Sequence, residues 1–450
     1  MPAVLWFRRD LRLGDHPALL AAAEEGPVVG LFVLDDALRR PSGPPRIAFL
    51  YRTLRALDEQ LRAHGGALTV RLGKPENVVP AVAREGGASS VHISADFAPY
   101  GAARDERVAA ALGDTPLVRT GSPYAVAPGR VTKGDGTPFR VYTAFYNAWT
   151  EHGWSKPAAS GPRDVSWRAL DGTGIPNDPD LPAGLTLPEA GEAAALAAWR
   201  RFRRGGLAGY PKERDRPDLD HTSRMSPYLK FGSIHPRTIL AGIGPGDSVY
   251  RREIAWREYY AAVLHFWPES AREYFQPAMA KMPYVTGKAA DDALAAWAAG
   301  RTGYPIVDAG MRQLLAEGWI HNRVRMIVAS FLVKDLHIEW AYGARHFMRH
   351  LVDGDLASNQ HGWQWAAGTG TDAAPYFRIF NPVTQGAKFD PDGAYIRRYV
   401  PELAGLPGRE IHEPWLRQDG LPDGYPERIV DHAKERNESL AAYQSLRDRS

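Results

Sequence analysis

Two hydrophobic periods divide this chain of 450 residues. Up to about residue 130, unbroken apolar runs (residues 4–7 and 28–33) and two further strand candidates of mixed character (67–72 and 90–94) alternate with stretches of helical period (17–25, 47–64 and 76–85). An unbroken apolar run suits a strand covered on both faces, and strands alternating with helices predict a parallel, doubly wound α/β sheet. Residues 156–188 lose all period and hold six prolines and four glycines, the pattern of a long surface connection. From Glu192 onward the period is helical nearly to the end, over 192–204, 249–266, 291–299, 306–317, 322–335 and 344–351. The expected organisation is a Rossmann-like α/β domain over 1–130, a connecting segment over 131–191 and an all-α domain over 192–450. No internal repeat is present.

Composition narrows the function classes. Hydrophobic residues make up 44% and charged residues 24%, ordinary for a globular protein. No apolar run reaches about 18 residues, so no membrane span is expected, and residues 1–10 lack a signal peptide's charged-then-apolar order. The absence of cysteine excludes disulfides, thiolate metal sites and cysteine nucleophiles. A net charge of +3 permits nucleic-acid binding without arguing for it. Nine of the 13 tryptophans lie from Trp199 onward, which suits a large helical core or a ring-lined pocket.

Chemistry concentrates in the helical half. Residues 353–365 (D-G-D-L-A-S-N-Q-H-G-W-Q-W) place Asp353, Asp355, Asn359, Trp363 and Trp365 in a polar, Gly-interrupted turn between apolar helices. Buried carboxylates there need partners, and Arg325 in W-I-H-N-R-V-R-M is placed to pair with Asp353. Hydroxyls and free N–H groups in T-S-R-M-S (Thr222, Ser223, Arg224, Met225, Ser226), just before a helix, suit a phosphate or an ordinary cap. Glu253, Trp256, Arg257 and Tyr260 share one helical face, a pattern that suits a pocket stacking a base and bonding its edge. His346 and His350 are four apart without the H-E-x-x-H order, so a surface pair and no metal site are expected. The turn at residues 8–16 (R-R-D-L-R-L-G-D-H) follows the first strand and reads either as a ligand cradle or as an internal salt-bridge network. Neither G-x-G-x-x-G nor G-x-x-x-x-G-K-[ST] occurs after a strand, and G-T-G-T-D at 368–372 stands alone.

Several ordered motifs now converge: W-F-R-R-D-L-R-L-x-D-H-P, T-S-R-M-S-P, E-x-x-W-R-E-x-Y, T-G-Y-P-I-V-D-A-G-M-R-Q-L, W-I-H-N-R-V-R-M, D-G-D-L-A-S-N…W-Q-W and D-A-A-P-Y-F-R-I-F-N-P. Together they resemble the photolyase/cryptochrome family, specifically class I cyclobutane pyrimidine dimer photolyases, over residues 1 to about 405. The segment after Glu410 contributes nothing to the resemblance.

The resemblance implies light-driven repair of pyrimidine dimers in UV-damaged DNA by electron transfer from reduced FAD, in a cytoplasmic, nucleoid-associated monomer. It implies FAD binding by Tyr210, residues 222–226, Asn322, Arg325, Asp353, Gly354, Asp355 and Asn359, with Asn359 facing flavin N5. It implies dimer and DNA contacts from Arg214, Glu253, Trp256, Arg257, Tyr260, Asn322, Arg323, Met326 and Trp365. Trp363 and Trp340 match the first two members of the family's photoreduction chain. The third position is Gly287 here, with Tyr284 the nearest aromatic residue in sequence, and Tyr250 stands where many members carry a tryptophan. Tyr100-Gly101 resemble deazaflavin-binding rather than folate-binding members, so an 8-hydroxydeazaflavin antenna is expected ahead of folate or FMN. The alternatives are a cryptochrome-type photoreceptor, disfavoured by Asn359, Glu253 and Trp256; a (6-4) photolyase, which would carry histidines at Asn322 and Met326; and a flavin-free DNA-binding protein.

Overall fold

The computed structural model describes residues 1–161, 165–371 and 378–447. Residues 162–164 of the connecting segment and 372–377 of the D-A-A-P-Y-F-R-I-F-N-P motif, including the last residue of G-T-G-T-D, lie outside the described residues.

Five parallel strands form one sheet: β1 (Ala3–Phe7), β2 (Val28–Leu34), β3 (Leu68–Leu72), β4 (Ser90–Ile93) and β5 (Leu117–Arg119), in the order β3-β2-β1-β4-β5. Leu5 of β1 stands opposite Gly30 on one side and His92 on the other. The unbroken apolar runs are the buried strands β1 and β2, as expected, and β4 is buried as well although Ser90 and His92 interrupt it. β5 escaped the sequence reading because it is three residues long and only partly covered. The helices Pro17–Glu25, Pro44–Arg62, Pro75–Gly86 and Pro99–Leu112 all open on proline, whose missing N–H loses no helical bond at that position.

After β3 the chain crosses to the other side of β1, so the sheet has its switch point between β1 and β4, where doubly wound folds bind ligands. Here the turn of residues 8–16 fills that edge with an internal network. Arg8 pairs with Asp105 at 3.3 Å, Arg104 with Asp105 at 2.8 Å and Asp96 at 3.3 Å, and Asp10 faces His16 at 3.3 Å. The same turn fastens the sheet to the helical half. Asp15 pairs with Arg237 at 2.7 Å, Arg12 donates to the Gly232 carbonyl at 3.1 Å, and Arg9 reaches Asp355 at 2.6 Å. Gly232 has φ +69°, and a Cβ there would lie 2.0 Å from the Arg9 carbonyl oxygen, so only glycine permits this approach.

The helix Ser248–Phe266 runs through the junction. On its far face Glu258 accepts from Ala125 N, from Val126 N at 3.0 Å and from Trp149 Nε1 at 2.6 Å. Trp149 belongs to the helix Tyr142–His152, inside the connecting segment.

The polar stretch 353–365 is not a turn. Most of it is the helix Leu356–Ala367, N-capped by Asp355, whose side chain accepts from Ser358 N. The apolar period failed there because the helix is buried nearly all round and keeps polar residues inside. Gln364 accepts from Phe275 N at 2.8 Å and donates to Ser270 O at 2.9 Å, and the His361 ring lies between Ala357 O and Ser270 Oγ. Buried polar groups paired in this way are tolerated in a core.

The C-terminal segment braces the loop before the helix Trp340–His350. In the helix His432–Arg447, Glu435 meets His337 at 2.8 Å, His432 contacts Asp335, and Ser439 donates to Lys334 O at 2.7 Å. His337 sits at φ +51°, and these contacts hold it there. No helix among the described residues is long and apolar enough to cross a membrane.

Candidate functional site

The helices Ser248–Phe266, Asn322–Lys334 and Leu356–Ala367, with residues 222–230 and Trp319, enclose a cavity of about 490 Å³. That volume falls within the range of small-molecule sites. Every expected binding residue lines it: Tyr210, Arg214, Thr222 to Ser226, Glu253, Trp256, Arg257, Tyr260, Asn322, Arg323, Arg325, Met326, Asp353, Gly354, Asp355, Asn359, Trp363 and Trp365. Trp340 does not; it stands behind the wall, 1% exposed.

The deep end is polar. Arg325 pairs with Asp353 at 2.8 Å while its Nε donates to Ile320 O at 2.8 Å, so the guanidinium is fixed at both ends. Asp353 is 6% exposed, and its Oδ1 is buried without a partner among the described residues, as is Thr222 Oγ1. Burial alone would raise the Asp355 pKa, but Arg9, Lys230 and Arg257 outweigh it and hold the carboxyl well below the usual range. Asn359 Nδ2 donates to Ala344 O at 3.1 Å and to Gln360 Oε1 at 2.8 Å, which fixes the amide's orientation and leaves Oδ1 as its free acceptor. A Cβ at Gly354 would lie 2.4 Å from Arg46 Nη1, so glycine lets that buried cation pass behind the site.

The mouth is aromatic and ionic. Trp256 and Trp365 are half-buried. Tyr142 covers one face of Trp256, with ring centroids 3.6 Å apart and planes within 6°. Glu253 accepts from Arg214 at 2.7 Å. Burial raises the Glu253 pKa, and Arg214 opposes that rise without cancelling it. Arg323 pairs with Asp215 at 3.0 Å over the Phe389 ring.

Arg257 departs from expectation. Its guanidinium donates to Pro123 O at 3.0 Å and Leu229 O at 3.2 Å and lies over Tyr124, so it ties loops together. Arg224, at φ +48°, pairs with Glu317 at 2.8 Å and Asp220 at 2.9 Å and covers Trp319, bracing the turn from outside. His346 and His350 are half-buried against each other, 4.4 Å between centroids, and His346 edges onto Trp297, so they are packing residues rather than a surface pair.

Two site residues were missed. Lys230 lines the cavity 3.9 Å from Asp355, and burial draws its pKa down to about 7. It closes the motif-rich run 210–230, but nothing in the sequence turns it inward. Tyr142 was hidden in the connecting segment, although F-R-V-Y-T-A-F-Y-N-A-W at 139–149 carries aromatic residues at helical spacing.

The donor set fits a flavin dinucleotide. Hydroxyls and N–H groups of the 222–226 turn suit a pyrophosphate, Asp353 Oδ1 offers an acceptor unpaired among the described residues, and Arg325 supplies positive charge.

Comparison with known proteins gives the same direction. A family described as the FAD binding domain of DNA photolyase matches residues 250–445, and one described as DNA photolyase matches 3–163. A deoxyribodipyrimidine photo-lyase of Halobacterium salinarum is 40% identical over 99% of both chains. Among solved structures, a bacterial class III photolyase from Agrobacterium tumefaciens is 37% identical with a TM-score of 0.88, covering 99% of this chain and 98% of its own. A Synechocystis cryptochrome is 26% identical with the same TM-score, covering 98% and 99%.

Proposed function

This chain belongs to the DNA photolyase family, and from that membership we propose that it repairs cyclobutane pyrimidine dimers in UV-damaged DNA with FAD held in the cavity. When bound and reduced, FAD supplies the photoexcited electron that opens the dimer. The observation that carries the reading is one cavity lined both by Asp353 and Thr222, whose Oδ1 and Oγ1 have no partner among the described residues, and by Glu253 with the indoles of Trp256 and Trp365.

Arg325 and Asp353 anchor the cofactor, with Thr222 and its neighbours on the pyrophosphate. Asn359 accepts a hydrogen bond through Oδ1, and its neutral amide adds no negative charge beside a reduced flavin, as an aspartate would. At the mouth, the free face of Trp256 and the ring of Trp365 wall a dimer flipped out of the duplex. A dimer pairs and stacks poorly, so its extrusion costs less than that of a normal base pair. Glu253 then donates a hydrogen bond to the carbonyl oxygen on which charge develops. Arg214 orients Glu253, and Arg323 faces the DNA backbone.

Glu253 acts in its protonated form, which burial favours. Repair per absorbed photon is therefore expected to fall as pH rises through this raised pKa. Glu253→Gln keeps a donor and should flatten that dependence, whereas Glu253→Ala should lower the yield several-fold with FAD retained. An unchanged yield in the alanine variant removes Glu253 from the mechanism.

The test of the substrate is competitive binding of a duplex with one dimer against the same undamaged duplex, across salt concentration. Preference for the dimer is expected, lost in Trp256→Ala, and removing the Arg323 contact should lower the log–log salt slope by about one unit. Equal affinity for the two duplexes would overturn the flipping model.

Similarity does not separate photolyase classes, since the Agrobacterium structure is described as class III, so the class I expectation is not carried further. For the α/β domain, the antenna reading remains a deazaflavin at the helix start beside Tyr100, whose hydroxyl bonds Asp35; extraction of the purified protein's chromophores tests it.

A further inference from the structure

We propose that Tyr274 is the terminal electron donor behind the cavity, with Glu339 receiving its phenolic proton. The inference rests on the reading that FAD occupies the cavity and that Trp363 and Trp340 relay electrons to it.

The route runs along one helix and then through a ring contact. Trp363 lines the cavity and is 3% exposed. Its six-membered ring presses on the helix Trp340–His350: a Cβ at Gly343 would lie 2.2 Å from Trp363 Cη2. Gly343 is one helical turn from Trp340, so Trp363 packs one turn along the helix that Trp340 opens. Trp340 is buried, and its Nε1 has no hydrogen-bond partner among the described residues. A tryptophan oxidised there has no base to take its proton, stays cationic and remains a strong oxidant. The Tyr274 ring meets Trp340 edge-on, 6.0 Å between centroids at 87°.

Tyr274 is half-buried and donates to Glu339 Oε1 at 3.0 Å. Burial first, then Tyr284 and Glu339, push its phenol pKa upward, so the ring is protonated at any working pH and must release a proton when oxidised. One electron passes from Tyr274 to the Trp340 radical cation, which returns to neutral tryptophan. The phenolic proton moves to the Glu339 carboxylate, leaving a neutral tyrosyl radical beside a carboxylic acid. The oxidant that starts the sequence is photoexcited oxidised FAD, which takes its electron from Trp363.

Two other residues could compete. Tyr284, the aromatic residue nearest Gly287 in sequence, lies near enough to Tyr274 to influence its phenol and makes no ring contact with Trp340 among the described residues. At Gly287 a Cβ would meet nothing within 4 Å, and glycine itself offers no ring to oxidise. Trp297 lies 6.0 Å from Trp363 but is fully buried, and its other ring neighbours are His346 and Phe347, which are harder to oxidise than an indole. That branch ends inside the protein.

The experiment is flash transient absorption, with electron paramagnetic resonance, on the holoprotein carrying oxidised FAD. The parent is expected to form a long-lived tyrosyl radical. Tyr274→Phe should replace it with a tryptophanyl signal whose lifetime is shorter by an order of magnitude. Tyr284→Phe and Trp297→Phe should retain the tyrosyl radical, and Glu339→Gln, which keeps the contact without a basic acceptor, should delay its formation. A tyrosyl radical that survives Tyr274→Phe, or is lost in Tyr284→Phe, overturns the inference. Trp363→Phe separates the two levels. If it abolishes every radical while Tyr274→Phe changes nothing, the relay stands and the tyrosine assignment falls. If Trp363→Phe leaves the parent signals intact, the relay itself falls.

Discussion

Asp353→Ala is expected to leave a folded protein that has lost its FAD. Asp353 is buried, one oxygen paired with Arg325 and the other unpartnered toward the cavity. The substitution removes a charge-assisted hydrogen bond to the ligand, worth about 1.5–3 kcal/mol. It also leaves the Arg325 guanidinium facing the ligand uncompensated. Together these correspond to a loss of affinity on the order of a hundredfold, since about 1.4 kcal/mol is tenfold. The measurement is FAD content per polypeptide after exhaustive dialysis, with circular dichroism confirming the fold. Full flavin retention in a folded variant would place the cofactor elsewhere.

Glu258→Ala should be the most destabilising single change outside the cavity. Three donors converge on this carboxyl, from Ala125 N, Val126 N and Trp149 Nε1. Removing it strands two buried N–H groups and a partly buried one at the junction of the sheet, the connecting segment and the helical half, at about 3–5 kcal/mol in total. Burial is the main influence on its pKa, raising it from the ordinary 4.5 to about 7 against the opposing bonds from Ala125, Trp149 and Val126. A carboxyl whose folded pKa lies above its unfolded value favours folding fully at pH below the unfolded value. Its contribution then declines as pH rises, until it is lost above about 7. The parent should lose stability across that window, and Glu258→Gln should show a flatter dependence there. Urea unfolding at several pH values checks both, and an alanine variant within 0.5 kcal/mol of the parent, the ordinary scatter of surface changes, would refute the staple.

The architecture was legible in the sequence where burial was one-sided or complete. β1 and β2 announced themselves as unbroken apolar runs, and the helix 248–266 as a periodic one. The helix Leu356–Ala367 was read as a turn because Asn359, His361 and Gln364 lie inside it, bonded to carbonyls and a hydroxyl that only the fold supplies. Face was readable but partner was not. Arg257 does share the cavity face with Glu253 and Trp256, yet its guanidinium binds carbonyls of Pro123 and Leu229, far away in sequence. The same limit hid Lys230, and it singled out Tyr284 for its nearness in sequence to Gly287 while the ring that meets Trp340 is Tyr274. The C-terminal helix carried no motif, and its bonds to the loop before Trp340 became visible only in three dimensions.

The most direct measurement is illumination of a defined oligonucleotide carrying one cyclobutane thymine dimer, with chemically reduced holoprotein, followed by chromatography of the DNA. Restoration of intact thymines in proportion to absorbed light, none in the dark and none in Asp353→Ala protein depleted of FAD, is the result the account predicts. A folded, FAD-loaded, reduced protein that binds the oligonucleotide and leaves the dimer unchanged under light would contradict it.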